Sequence, residues 1–261
     1  MKPLIGVSCA WSVETWSSDE SQDGYLYVGK EYVDAVLDSG GIPFVLPIVS
    51  NEEILKAVAM DIVSVIDGLL LSGGGSVEGM PSKPTRPTLI EQQPIRYQFE
   101  KELLLHAREK GMPIFGICRG CQMIAEVFGG KMNYSCFLQG HRQKEPGDRP
   151  THSIKIMDNT KARQVVQVDS MMVNSFHVQC IDFVPEGFVA SGISDDGVIE
   201  MIESTVDPFV WGTQFHPEEM RLSSELAKRI IDFFIKKLKL INNHDSVVIS
   251  RQATCSIELN T

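Results

Sequence analysis

Short apolar runs alternate with helix-period patterns through the first half of the chain. Pro3–Ser8 and Ile42–Pro47 read as strands, and between them Val33, Val36 and Leu37 recur at helical spacing until Gly40-Gly41 stops the helix. Glu52–Met60 predicts a second helix. Asp67-Gly68-Leu69-Leu70-Leu71 is a continuous apolar strand of the kind buried on both faces, and it runs into Ser72-Gly73-Gly74-Gly75. The stretch Ser76–Pro94 is polar and broken by Pro81, Pro84, Pro87 and Pro94, which predicts an ordered loop or lid. Phe99, Leu103, Leu104 and Ala107 mark the next helix, Pro113–Ile117 the next strand, and Arg119–Phe128 a helix closed by Gly129-Gly130.

The second half is richer in short β runs: Ser153–Met157, Met171–Asn174, Phe188–Ile193, Val198–Ile202 and Val210–Phe215. Some of these are expected to lie antiparallel. A last helix over about Ser223–Leu240 carries Leu226, Ile230, Phe234 and Leu238 on one face, with Ser223 or Ser224 as its cap. Strands alternating with helices predict an α/β fold, a mixed, mostly parallel sheet flanked by helices. No repeat or composition break divides the chain, so one domain over residues 1–241 is expected, followed by a tail over 242–261 read as a flexible extension.

Composition narrows the functional classes. The chain has 261 residues, 43% hydrophobic and 22% charged, enough to bury a sizeable core. Its formal net charge of −10 disfavours a broad phosphate-neutralising surface, so nucleic acid is not an expected partner. No apolar stretch approaches the roughly 18 residues that span a bilayer, and Met1–Ser8 lacks the pattern of a signal peptide, so no membrane association is expected. Six irregularly spaced cysteines argue against a secreted disulfide scaffold and for a reducing cytoplasm. A homo-oligomer is compatible with all of this.

The chemistry gathers at Cys118. In Gly116-Ile117-Cys118-Arg119-Gly120 the cysteine sits where a buried strand turns sharply into a helix, the cysteine form of a nucleophile elbow. The positive end of the helix dipole there favours thiolate, and the unpaired N–H groups of the first turn can receive an oxyanion. The Arg119 N–H is the first candidate donor, and the glycine turn, at Gly74 and Gly75, offers a second. Amide cleavage also needs a proton donor for the leaving amine. Of six histidines, His216 is delivered to the end of the Val210–Phe215 strand, and Glu218 follows two residues on to orient the ring, completing a Cys-His-Glu triad. Cys118 and Cys121 also form a C-x-x-C. A zinc reading of that pair would require a second pair of ligands at short spacing, and the sequence offers none. A regulatory Cys118–Cys121 disulfide is a further expectation to be tested.

Five segments follow in order: Leu71-Ser72-Gly73-Gly74; Gly116-Ile117-Cys118-Arg119-Gly120-Cys121-Gln122; Val173-Asn174-Ser175-Phe176-His177-Val178-Gln179; Asp196-Gly197-Val198-Ile199-Glu200; and Gln214-Phe215-His216-Pro217-Glu218. Together they resemble the class I glutamine amidotransferase-like superfamily, in particular its γ-glutamyl hydrolase branch, similar to γ-glutamyl-γ-aminobutyrate hydrolases. The resemblance spans about Lys2 to Leu240. It implies a flavodoxin-like architecture, a γ-glutamyl thioester on Cys118, His216 as general acid and base, and Glu218 as its partner. It further implies substrate contacts from Gln122 and from Asn174, Ser175 and His177. The substrate would be a small γ-glutamyl amide and water, with no metal or organic cofactor. The chain departs from the family at Ser76-Val77, at Arg96-Tyr97 and at Val178, positions that bear on substrate identity and pocket architecture. Two other classes remain as alternatives: a glutaminase delivering ammonia to a synthase partner, and a non-catalytic binding member of the fold.

Overall fold

A computed structural model describes residues 1–12, 24–74, 87–134 and 140–239. In chain order its first half contains β1 (Leu4–Ser8), β2 (Ala10–Ser12), β3 (Tyr25–Tyr27), α1 (Lys30–Asp38), β4 (Ile42–Leu46), α2 (Glu52–Val65), β5 (Gly68–Leu71), α3 (Leu89–Gln92), α4 (Pro94–Glu109), β6 (Ile114–Ile117) and α5 (Arg119–Val127). The second half adds β7 (Lys131–Asn133), β8 (His152–Ile156), α6 (Lys161–Val166), β9 (Ser170–Val173), β10 (Cys180–Phe183), β11 (Phe188–Ser194), β12 (Ile199–Ser204), β13 (Val210–Thr213), α7 (Pro217–Met220) and a last helix, α8, over 225–239.

The main sheet is mixed. Its strands run in the order β4-β1-β5-β6-β13-β12-β11-β8-β9. The first five are mutually parallel. The rest extend the sheet antiparallel, with β10 bridging β12 and β7 off the main path. In chain order the parallel block reads 2-1-3-4-5, the doubly wound arrangement in which ligands bind beyond the carboxyl ends of the strands.

Both faces of this block are covered, which is why its strands are continuously apolar. Alternation sends Leu70, Phe115 and Trp211 to one face, where they meet Val36, Phe234, Ile235 and Leu238 of α1 and α8. Leu69, Leu71 and Ile114 face the other way, against Leu55, Val63, Phe99, Leu103 and Ile124 of α2, α4 and α5. The structure thus has the expected single α/β domain architecture.

Several boundaries differ from the sequence reading. The second helix does not stop at Met60 but continues to Val65, because Ile62 and Val63 prolong its inward face. The expected loop Ser76–Pro94 is shorter than its proline content suggests. Residues 76–86 lie outside the described residues, but Thr88 and Glu91 form a capping box that starts α3, and Pro94 is the first residue of α4. A proline at a first helical position lacks only an N–H that the helix could not have paired. Ser224, not Ser223, caps the last helix, accepting the Ala227 N–H at 3.3 Å. β2, β3, β7, β10 and α6 carry too few residues for periodicity to reveal them. No described helix is long and apolar enough to cross a membrane, and the tail over 242–261 lies outside the described residues.

Candidate active site

Cys118 occupies the corner between β6 and α5 with φ 53° and ψ −105°, a left-handed conformation that is strained for a side chain with a Cβ. The flanking glycines are there for close approach. A Cβ on Gly116 would lie 2.5 Å from the Gly120 carbonyl, and one on Gly120 would lie 2.2 Å from the Leu71 oxygen. The Cys118 N–H donates to the Thr213 oxygen at 2.7 Å, which ties the corner to the end of β13, three residues before His216.

His216 therefore arrives beside Cys118 from the neighbouring parallel strand. A Cβ placed on Gly73 would be 3.1 Å from His216 Cε1 and 3.2 Å from Cys118 Cβ, so glycine turn, sulfur and imidazole share one small space. Glu218 is buried, with Oε1 2.8 Å from His216 Nδ1. Burial by itself would lower the ring's pKa, but the Glu218 carboxylate and the Cys118 sulfur outweigh it and hold the imidazolium well above the usual histidine range. Phe176 packs edge-on against the ring, centroids 5.6 Å apart.

Two side chains that the sequence reading did not place here complete the corner. The Tyr32 hydroxyl of α1 accepts the Gly73 N–H at 2.9 Å and lies 3.5 Å from His216 Nδ1. Burial first, then the negative charge of Glu218 and Cys118, keep it a neutral phenol. Arg96 of α4 is buried beneath the glycine turn, its Nη2 donating to the oxygens of Ser72 at 2.8 Å and Gly73 at 3.1 Å, and its Nη1 to that of Gly74 at 3.2 Å. Its Nε meets Glu100 at 2.8 Å, and Glu100 also accepts from Ser8 Oγ and pairs with the Arg119 side chain. With all three carbonyls turned toward Arg96, the turn is fixed from below. Arg96 was visible in sequence only as half of an altered family pair. Tyr97, the altered half, turns away and donates to Glu126 at 2.8 Å.

The expected oxyanion donors fall where the chain can bring them. Arg119 begins α5 directly after Cys118, and its side chain runs back to Glu100. Gly74 stands at the exposed edge of the turn with φ 79°, while the Gly73 N–H is taken by Tyr32. Gly75 lies outside the described residues.

The expected substrate contacts divide. Gln122, one turn into α5, is buried, its Nε2 donating to Gln214 Oε1 at 2.9 Å and to the Gln179 oxygen at 3.2 Å. Asn174 is wholly buried and engages backbone at both ends: Oδ1 accepts the His216 N–H, and Nδ2 donates to the Gly147 and His216 oxygens. Its amide therefore shapes the His216 segment instead of facing a substrate. Ser175 Oγ donates to the His141 oxygen at 2.8 Å, and His177 joins His141 around Glu200. These two sit in a separate cluster of histidines. Two groups have donor atoms close enough for a cation, His141, His152 and Glu200, and His216, Glu218 and Glu219. Cys118 and Cys121 are both thiols, and Cys121 is fully buried against Gly212 with burial pushing its pKa well up.

Comparison with known proteins places this geometry. The crystal structure of a GMP synthase subunit protein from Thermoplasma acidophilum superposes with a TM-score of 0.62 at 17% identity, covering 94% of this chain and 99% of that one, which fixes the fold. Protein NtpR of Enterococcus hirae is 30% identical over 246 residues, spanning 91% of this chain and all of its own. The γ-glutamyl-γ-aminobutyrate hydrolase PuuD of Escherichia coli is 25% identical over 244 residues, 89% of this chain and 92% of that protein. The model of the peptidase C26 family matches residues 3–218, and the chain belongs to that family, among the glutamine amidotransferase-like proteins.

Proposed function

We propose that the protein is a cysteine-dependent hydrolase that cleaves the γ-glutamyl amide bond of a small metabolite. The observation that carries this reading is the placement of the His216 ring between the Glu218 carboxylate and Cys118 at the carboxyl ends of adjacent parallel strands. In this account the Cys118 sulfur attacks the amide carbonyl, and the developing oxyanion is received by the Arg119, Gly74 and Gly75 N–H groups. His216 gives its proton to the departing nitrogen as the C–N bond breaks, leaving a γ-glutamyl thioester on Cys118. Neutral His216 then takes a proton from water, whose oxygen attacks the thioester. The C–S bond breaks and glutamate leaves. Glu218 stabilises the imidazolium at each stage.

Gln122 lines the glutamyl side of this cleft, and the similarity to a γ-glutamyl-γ-aminobutyrate hydrolase supports the choice of acyl group. The amine half is left to the residues beyond Gly74. The test is to incubate purified protein, alone, with a panel of γ-glutamyl amides and with glutamine, and to measure released glutamate. Turnover of amides supports the proposal. Glutamine turnover that needs a partner protein points to an ammonia-delivering glutaminase, and no turnover in either points to a binding protein.

A further inference from the structure

Three histidines far apart in sequence converge on one carboxylate. His141 precedes β8, His152 begins β8, His177 lies between β9 and β10, and Glu200 is on β12. Around Glu200 Oε1 stand His141 Nδ1 at 3.1 Å, His177 Nε2 at 3.2 Å and His152 Nε2 at 3.4 Å, and the first two nitrogens are 3.2 Å from each other. Donor atoms around a tetrahedral ion with bonds of about 2.0–2.1 Å lie about 3.3 Å apart, so these separations are those of a coordination shell.

The outer hydrogen bonds decide which way the lone pairs point. His177 Nδ1 lies 2.9 Å from the Gln179 carbonyl, which can only accept, so Nδ1 carries the hydrogen and Nε2 presents a lone pair inward. His141 Nε2 lies 3.0 Å from Asp196 Oδ2, which by the same logic turns the Nδ1 lone pair inward. Two imidazole lone pairs and a carboxylate oxygen thus face one point, an arrangement that requires a cation. A carboxylate and a backbone carbonyl behind the ligating rings are also the usual outer partners of metal-bound histidine. Glu200 is wholly buried, yet its Oε2 has no hydrogen-bond partner, and neither has either ring nitrogen of His152.

We propose that Glu200, His141, His152 and His177 form a binding site for one divalent transition-metal ion of the zinc class. Imidazole and carboxylate donors select that class over calcium or magnesium, which prefer all-oxygen shells. Glu200 and Asp196 supply two negative charges to balance the ion. Its role is structural. It ties the segment before β8, β8 itself, the β9–β10 connection and β12 into one unit, and this unit touches the catalytic corner through Gln179, whose oxygen also receives Gln122. The site is independent of the amide chemistry proposed for Cys118.

The experiment uses full-length protein purified without a metal-affinity tag, treated with chelator, and titrated with Zn²⁺ for melting temperature and with Co²⁺ for visible absorption. One equivalent should bind, raise the melting temperature and give the intense absorption of a tetrahedral centre. His152→Ala removes a partly exposed ring without hydrogen bonds, so it should fold as wild type, and it should weaken binding at least about tenfold. Cys118→Ala should bind as wild type, which separates this site from the His216, Glu218 and Glu219 group. Absence of stoichiometric binding, equal binding by His152→Ala, or loss of binding in Cys118→Ala would each overturn the proposal.

Discussion

Asn174 grips the peptide unit of His216 from both sides: its Oδ1 accepts the His216 N–H at 2.8 Å, and its Nδ2 donates to the His216 oxygen at 3.1 Å. The residue that the family resemblance assigned to substrate thus sets the position of the imidazole. Asn174→Ala should lower kcat by roughly 10- to 100-fold through a small displacement of the ring, with KM little changed. Steady-state kinetics on the best substrate of the panel checks this; a change confined to KM would return Asn174 to the substrate pocket.

The turn at Ser72–Gly74 rests on Arg96, and Arg96 rests on Glu100. Burial would raise the Glu100 carboxyl, but Arg119 and Arg96 outweigh it and hold its pKa below the usual 4.5. A carboxylate depressed in the folded state contributes stability that is present above pH 4.5 and is lost as pH falls through its folded value. Glu100→Gln leaves two buried guanidinium groups poorly compensated and should cost about 3–5 kcal/mol at neutral pH. Denaturant unfolding of the two proteins should therefore converge as the solution is acidified well below pH 4.5. A difference independent of pH would contradict the assignment.

His216 must be protonated to release the amine, and its pKa is held well above 6.5 by Glu218 and the Cys118 sulfur against the opposing effect of burial. The alkaline limb of kcat/KM should thus lie above pH 6.5 in the wild type. Glu218→Gln keeps a hydrogen-bonding group but removes the negative charge, so the limb should move to lower pH. An unmoved limb would mean that the titrating group is not His216.

Tyr32→Phe keeps the packing of α1 against the corner but frees the Gly73 N–H. Stability should fall by only about 1 kcal/mol, the net worth of one hydrogen bond. Activity should fall by roughly tenfold, because the turn and the ring both lose a neighbour that fixes them. Comparing melting temperature with kcat separates these two effects.

The elements that carry Cys118 and His216 were legible in the sequence because each is a buried strand ending in a residue pair with steric meaning: Gly116 and Gly120 around the corner, Pro217 after the ring. The parallel block was legible for the same reason, since strands covered on both faces are unbroken apolar runs. Arg96 was not, because a buried arginine on a helix looks like a solvated one until its carbonyl partners are known. Pro94 read as a breaker, whereas only its position at the start of α4 decides that it is a starter. His141, His152, His177 and Glu200 were the least legible. Their spacing follows no ligand motif, and only the antiparallel pairing of β8, β9, β11 and β12 brings them to one point.

The central claim is a covalent bond between the substrate's acyl group and Cys118. Mixing the protein with a chromogenic γ-glutamyl anilide, quenching in acid within the first turnover and sequencing the digest by mass spectrometry tests it directly. The account predicts a glutamyl group on the peptide containing Cys118, absent in Cys118→Ala, which should keep its melting temperature. Glutamate release with no acylated Cys118 peptide, or release undiminished in Cys118→Ala, would contradict it.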